Sequence, residues 1–168
     1  GTTATLTNVA YTFSNITANH TIVVAFEIDT YLITATAGAN GTIDPASTMV
    51  DSGDTAVFTI TPNTGYDVAD VVVDGVSVGA VTSYVFENVR AAHSISATFS
   101  IQSYELVAET GPNGSIDPIG VTTVTYGESV TYAITPDTGY HVADVQVDGV
   151  SVGALTSYTF SSISANNT

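Results

Sequence analysis

Val73-Asp74-Gly75-Val76-Ser77-Val78-Gly79-Ala80 returns letter for letter as Val147-Asp148-Gly149-Val150-Ser151-Val152-Gly153-Ala154. In each copy, apolar residues flank an Asp-Gly pair. That pair suits a two-residue type I′ turn, whose central positions both need positive φ. The stretch reads as a β-hairpin, and a hairpin written twice reads as a repeat. The similarity spreads outward from it. Ile60-Thr61-Pro62-Asn63-Thr64-Gly65-Tyr66 returns as Ile134-Thr135-Pro136-Asp137-Thr138-Gly139-Tyr140. Tyr84-Val85-Phe86-Glu87-Asn88-Val89 returns as Tyr158-Thr159-Phe160-Ser161-Ser162-Ile163, and an earlier form runs Tyr11-Thr12-Phe13-Ser14-Asn15-Ile16.

The period is about 73 residues. It divides the chain into residues 1–29, matching only the C-terminal part of a repeat; 30–102, a complete repeat; and 103–168, a repeat without its last strand. That last strand is Ile95-Ser96-Ala97-Thr98-Phe99 in the complete repeat. The N-terminal piece carries its match as Ile22-Val23-Val24-Ala25-Phe26.

Within a repeat the alternation is β throughout. Tyr31, Ile33 and Ala35 alternate with Leu32, Thr34 and Thr36, and Phe58 and Ile60 with Thr59 and Thr61. Period two over short runs marks half-buried strands, and the Asn-Gly, Asp-Pro and Ser-Gly pairs between them mark turns. One strand changes phase: Tyr66 and Val68 share a parity that Val71 and Val73 do not, as do Tyr140 and Val142 against Val145 and Val147. A β-bulge near Ala69-Asp70 and Ala143-Asp144 would set both halves on one core. The expected fold is all-β: tandem small β-sandwich or β-grasp-like repeats without substantial helix.

Composition excludes several chemistries. Of 168 residues, 44% are hydrophobic and 10% charged, with Asp+Glu 16 against Lys+Arg 1, a net charge of −15. One Arg cannot neutralise a nucleic-acid backbone or anchor to anionic lipid. Without Lys or Cys there is no Schiff base, Walker loop, thiolate site or disulfide. No apolar run reaches the ~20 residues of a membrane-spanning helix.

Candidate chemistry is sparse. His20 and His93 share a repeat position that is Asn167 in the last repeat, and His141 stands where the first copy has Asp67. A base that changes identity between copies makes a poor general base. No enzyme activity is expected. Asp44, Asp70, Asp117 and Asp144 recur between copies and are the calcium candidates, since hard cations take clustered carboxylates; no other cofactor is expected. Asn15, Asn19, Asn40, Asn113 and Asn166 open Asn-x-Ser/Thr triplets and are the glycosylation candidates. Tyr66, Tyr84, Tyr140 and Tyr158 share parity with core residues and read as packing groups rather than a sugar platform.

The order Tyr-x-Ile-x-Ala, Asn-Gly-x-Ile-x-Pro, Phe-x-Ile-x-Pro, Gly-Tyr-x-Val, Val-Asp-Gly, Tyr-x-Phe and His-x-Ile-x-Ala-x-Phe resembles the divergent InlB B-type repeats. The resemblance implies small β modules in tandem on secreted or surface-attached microbial proteins, with no catalytic residues to carry over. The expected role is therefore structural, outside the cell or on its surface: spacing, adhesion or fibre formation. The expected partner is a copy of itself, joined head to tail through Ile22, Val24 and Phe26 by strand complementation. The alternative is a carbohydrate- or surface-binding adhesin module assisted by calcium.

Overall fold

The structure, a computed structural model, describes residues 12–167. Tyr11 and the rest of residues 1–11 lie outside it. Among the described residues every regular element is a strand. The first half comprises β1 (Thr30–Ala37), β2 (Gly41–Asp44), β3 (Ser47–Asp51), β4 (Ala56–Pro62), β5 (Tyr66–Val73), β6 (Val76–Gly79), β7 (Ser83–Phe86) and β8 (His93–Ile101). A five-stranded sheet runs β3-β1-β8-β5-β6, and a three-stranded sheet runs β2-β4-β7. One core is shared by both sheets. Ile33, Val71, Val73, Ile95 and Ala97 come from the first, and Ile43, Phe58, Ile60 and Phe86 from the second.

The quoted hairpin forms as its sequence requires. Asp74 and Gly75 have φ of 49° and 83°, and Asp148 and Gly149 have 49° and 76°. The bulge also forms in the first half, where the β5–β8 register shifts between Val68 and Asp70. Gly41 allows a close approach: a Cβ there would run into the ring of Phe99 at the end of β8. Gly114 holds the equivalent position in the second half.

The second half comprises β9 (Ser103–Ala108), β10 (Gly114–Asp117), β11 (Gly120–Thr125), β12 (Val130–Pro136), β13 (Val145–Val147), β14 (Val150–Gly153) and β15 (Ser157–Phe160). Its pairings are β11-β9, β10-β12-β15 and β13-β14, each with a counterpart in the first half. Local bonds repeat as well. Asn63 N–H donates to Asn40 C=O at 2.9 Å, and Asp137 N–H to Asn113 C=O at 3.0 Å.

The halves differ in one place. β8 lies between β1, to which it is parallel, and β5, to which it is antiparallel. No strand among the described residues lies between β9 and β13. The consequences run through the core. Ile60, Val71, Val73 and Phe86 are buried, whereas Ile134, Val145, Val147 and Phe160 are only partly so. The expected bulge near Ala143-Asp144 has no ladder to interrupt, because residues 141–144 are not in a strand.

The halves meet through Gln102, the single residue between β8 and β9. Its N–H donates to Gly65 C=O, and its C=O accepts from Tyr126 N–H, both at 2.9 Å. Its side chain donates to Asp67 Oδ1 at 2.8 Å and accepts from the Tyr104 hydroxyl at 2.9 Å. The Tyr126 ring lies over Gly65, where a side chain would collide with it.

Candidate functional site

The residues sequence reasoning singled out for chemistry do not converge. Among the described residues no group of three or more His, Asp or Glu could hold a metal ion. Asp70 and Asp144 accept from the hydroxyls of Ser77 and Ser151, each at 2.6 Å. The Ser151 hydrogen bond holds the Asp144 carboxyl below its ordinary range. Asp44 and Asp117 end β2 and β10, and each precedes a cis proline.

Of the glycosylation candidates, Asn15, Asn40 and Asn113 adopt positive φ, and Asn19 is exposed. The side-chain oxygen of Asn166 accepts from Glu105 N–H at 2.9 Å. Tyr66, Tyr84 and Tyr158 are partly buried, in keeping with packing. Tyr140 departs from the expected core role, being 56% exposed. Its counterpart Tyr66 pairs with Ile101 of β8, and Tyr140 has no such partner strand.

The feature the structure does assemble is the gap between β9 and β13. It is a cleft of about 270 Å³ whose walls include Ile116, Tyr132, Ile134, Val145, Val147 and Phe160. That is below the ~300–1,000 Å³ usual for small-molecule sites, and the lining is mostly apolar. The Tyr132 hydroxyl is buried without a hydrogen-bond partner, where the first half has Phe58. One parallel bridge lies on β9. Asn167 bridges Leu106, with Val107 N–H donating to Asn167 C=O at 3.1 Å and Asn167 N–H to Glu105 C=O at 3.2 Å. This repeats the start of β8, where Ile33 pairs with His93.

In the first half that start is pinned by the Asp74 carboxylate. His93 Nδ1 lies 2.6 Å from Asp74 Oδ2, and Ser94 N–H donates to Asp74 Oδ1 at 2.8 Å. The His93 hydrogen bond first, then the Ser94 N–H, holds the Asp74 carboxyl below its ordinary value of 3.8. In the second half Asn167 donates to Asp148 at 3.2 Å instead. A depressed carboxylate adds stability above its unfolded value and loses it as pH falls through its folded value. Asp74→Asn keeps a residue that tolerates positive φ. It should destabilise the first half at pH 7 by about 1 kcal/mol or less, because the pair is half exposed and screened. The deficit relative to the unchanged chain should close as pH falls below ~3.8. Melting curves between pH 3 and 7 check this, and a pH-independent deficit would refute it.

Residues 22–26 bear directly on the cleft. Ile22, Val24 and Phe26 are 61%, 62% and 91% exposed, and the segment is in no strand. The contact preceding β8 is nevertheless reproduced in the N-terminal segment. Phe13 and His20 have ring centroids 5.1 Å apart, as Phe86 and His93 do at 5.0 Å.

Residues 31–103 match the family model of the divergent InlB B-repeat domain. Over this stretch the chain is similar to that family. The match spans β1 to β8 and thus includes the strand that fills the gap in the first half. Comparison with curated proteins and with solved structures gave no match. InlB-like repeats are typically surface-associated, and no helix among the described residues is long and apolar enough to cross a membrane.

Two features were missed by sequence reasoning: the seat that Gly41 provides for Phe99, and the Gln102 junction. The first had a signal in the Asn-Gly pair shared by Asn40 and Asn113. The second had one in position 102 itself, Gln there but Asp at the matching position 29.

Proposed function

We propose that the chain is a non-enzymatic, extracellular structural segment built of InlB-like repeats of about 73 residues, joined head to tail by strand addition. Residues 22–26 of one copy enter the gap between β9 and β13 of the next. The observation carrying this reading is the pairing of an apolar strand slot with an exposed segment whose sequence matches the strand that fills the slot in the first half. Strand addition supplies backbone hydrogen bonds for affinity and side-chain pockets for register. The contact joins two different surfaces, so it propagates into a filament or closes into a ring. Nucleic acid and membrane insertion have no place in this reading, and the acidic surface keeps unassembled copies soluble.

The register follows from the first half. Val72 pairs with Ser96 there, which maps to Gln146 of the acceptor and Val23 of the donor. The chain has no cysteine, so every disulfide of a Val23→Cys, Gln146→Cys variant joins the introduced positions. Facing strand positions lie within disulfide range. Oxidation should produce a ladder of covalent oligomers on a denaturing gel. A variant pairing Val23→Cys with Thr122→Cys, on β11, should not. A species of monomer size alone would overturn the head-to-tail reading, whether its slot is filled by its own segment or by none.

A further inference from the structure

Resting on the strand-addition reading, we infer that His141 of the accepting copy is held between Glu27 and Asp29 of the donating strand, forming a pH-dependent charge latch between two copies of this chain. The template is internal. In the first half Asp67 pairs with Ser100 across the β5–β8 ladder and accepts a hydrogen bond from the Gln102 side chain at 2.8 Å. The repeat maps Asp67 to His141, Ser100 to Glu27 and Gln102 to Asp29. A carboxylate facing two neutral partners thus becomes an imidazole facing two carboxylates. All three positions change together, and each change favours the exchanged contact. Pairing residue 141 with a strand carrying the neutral Ser100 and Gln102 residues would give its charge no counterpart.

The surroundings sharpen the role of His141. Asp144 and Glu109 line the cleft, and Asp137 and Asp148 lie in the turns at either end of the same stretch. On the donor, Tyr31 takes the place of Tyr104, whose hydroxyl donates to Gln102. The one Arg, Arg90, donates to Asn88 in the first half. His141 is therefore the group at the accepting edge able to carry positive charge, in a chain of net charge −15 whose copies repel one another. His141, Glu27 and Asp29 are exposed in the single chain, so substituting them leaves its core intact.

The sign is fixed by the pair. Histidine is the side-chain type whose charge changes near neutral pH, and a protonated ring attracts facing carboxylates as a neutral ring does not. The latch holds with the ring protonated and is lost with the ring neutral. The test is the assembly constant of the full chain, measured by sedimentation between pH 5.5 and 8. Association should be roughly three- to fivefold tighter at pH 5.5, the scale of an exposed ion pair. His141→Asp should weaken association at both pH values and abolish the difference between them. Adding Glu27→Ser and Asp29→Gln to His141→Asp rebuilds the first-half arrangement and should restore association without pH dependence. If the unchanged chain assembles but His141→Asp associates as tightly, or keeps the pH dependence, the latch is wrong and strand addition stands. If no variant assembles at any pH, both are wrong.

Discussion

Phe58→Ala should cost the first half about 3–5 kcal/mol, the range for truncating a buried Phe. Phe58 is wholly buried at the centre of the core, on the middle strand of the β2-β4-β7 sheet. Its ring meets that of Phe86 edge to face with centroids 5.7 Å apart, so truncation removes an aromatic pair as well as area. A domain of this size holds only some 5–10 kcal/mol in total. The expected fall in melting temperature is roughly 15–30 °C. Calorimetry of the full chain checks it, and a shift below about 5 °C would place the weight of the core elsewhere. The companion truncation Phe160→Ala should cost less, since Phe160 is only partly buried.

A synthetic peptide of residues 20–29, added to the full chain, should raise the melting of the second half. The slot wall now leaves Val145 and Val147 partly exposed, and in the first half Ala97 and Ile95 cover their counterparts. A ligand of the native state stabilises it by about 2.7 kcal/mol at one hundred times its Kd. For a domain this small that is roughly 10–20 °C. Ile22, Val24 and Phe26 would bury their side chains, with Phe26 placed over Gly114 as Phe99 lies over Gly41. The same peptide with Val24→Asp would have to bury an unpaired charge and should have no effect. An equal shift from both peptides would mean that the slot does not read the strand's apolar face.

How much of this the sequence discloses depends on the range of the interaction. The hairpin at residues 73–80 was legible because its turn is written in two adjacent residues and checked by positive φ at both. The bulge was legible from a change of parity, again a local signal. Tyr140 was misread because parity tells which way a side chain points, not whether another strand covers it; Tyr66 has β8 beside it and Tyr140 does not. The neighbours of β8 were illegible for a related reason. Alternation marks a strand without naming its partners, and the parallel β1–β8 pairing joins residues far apart in sequence. The cleft itself could be foreseen only as a missing line of the repeat. The Gln102 junction, built from single residues of four segments, left only the trace of one position that changed between copies.

The parallel alignment of β1 and β8 also decides how the first half would respond to being pulled. The chain enters β1 at Thr30 and leaves β8 at Ile101, and the two strands lie side by side from Ile33–His93 to Ala37–Ala97. Tension applied along the chain draws one strand against the other lengthwise. Every bond of that ladder is loaded at once, so none can open before its neighbours as a hairpin's would. A strand entering the second half in the same direction beside β9, as proposed above, would extend this shear geometry across the proposed contact between copies. The link between subunits would then resist stretching in the same manner as the folded domain itself.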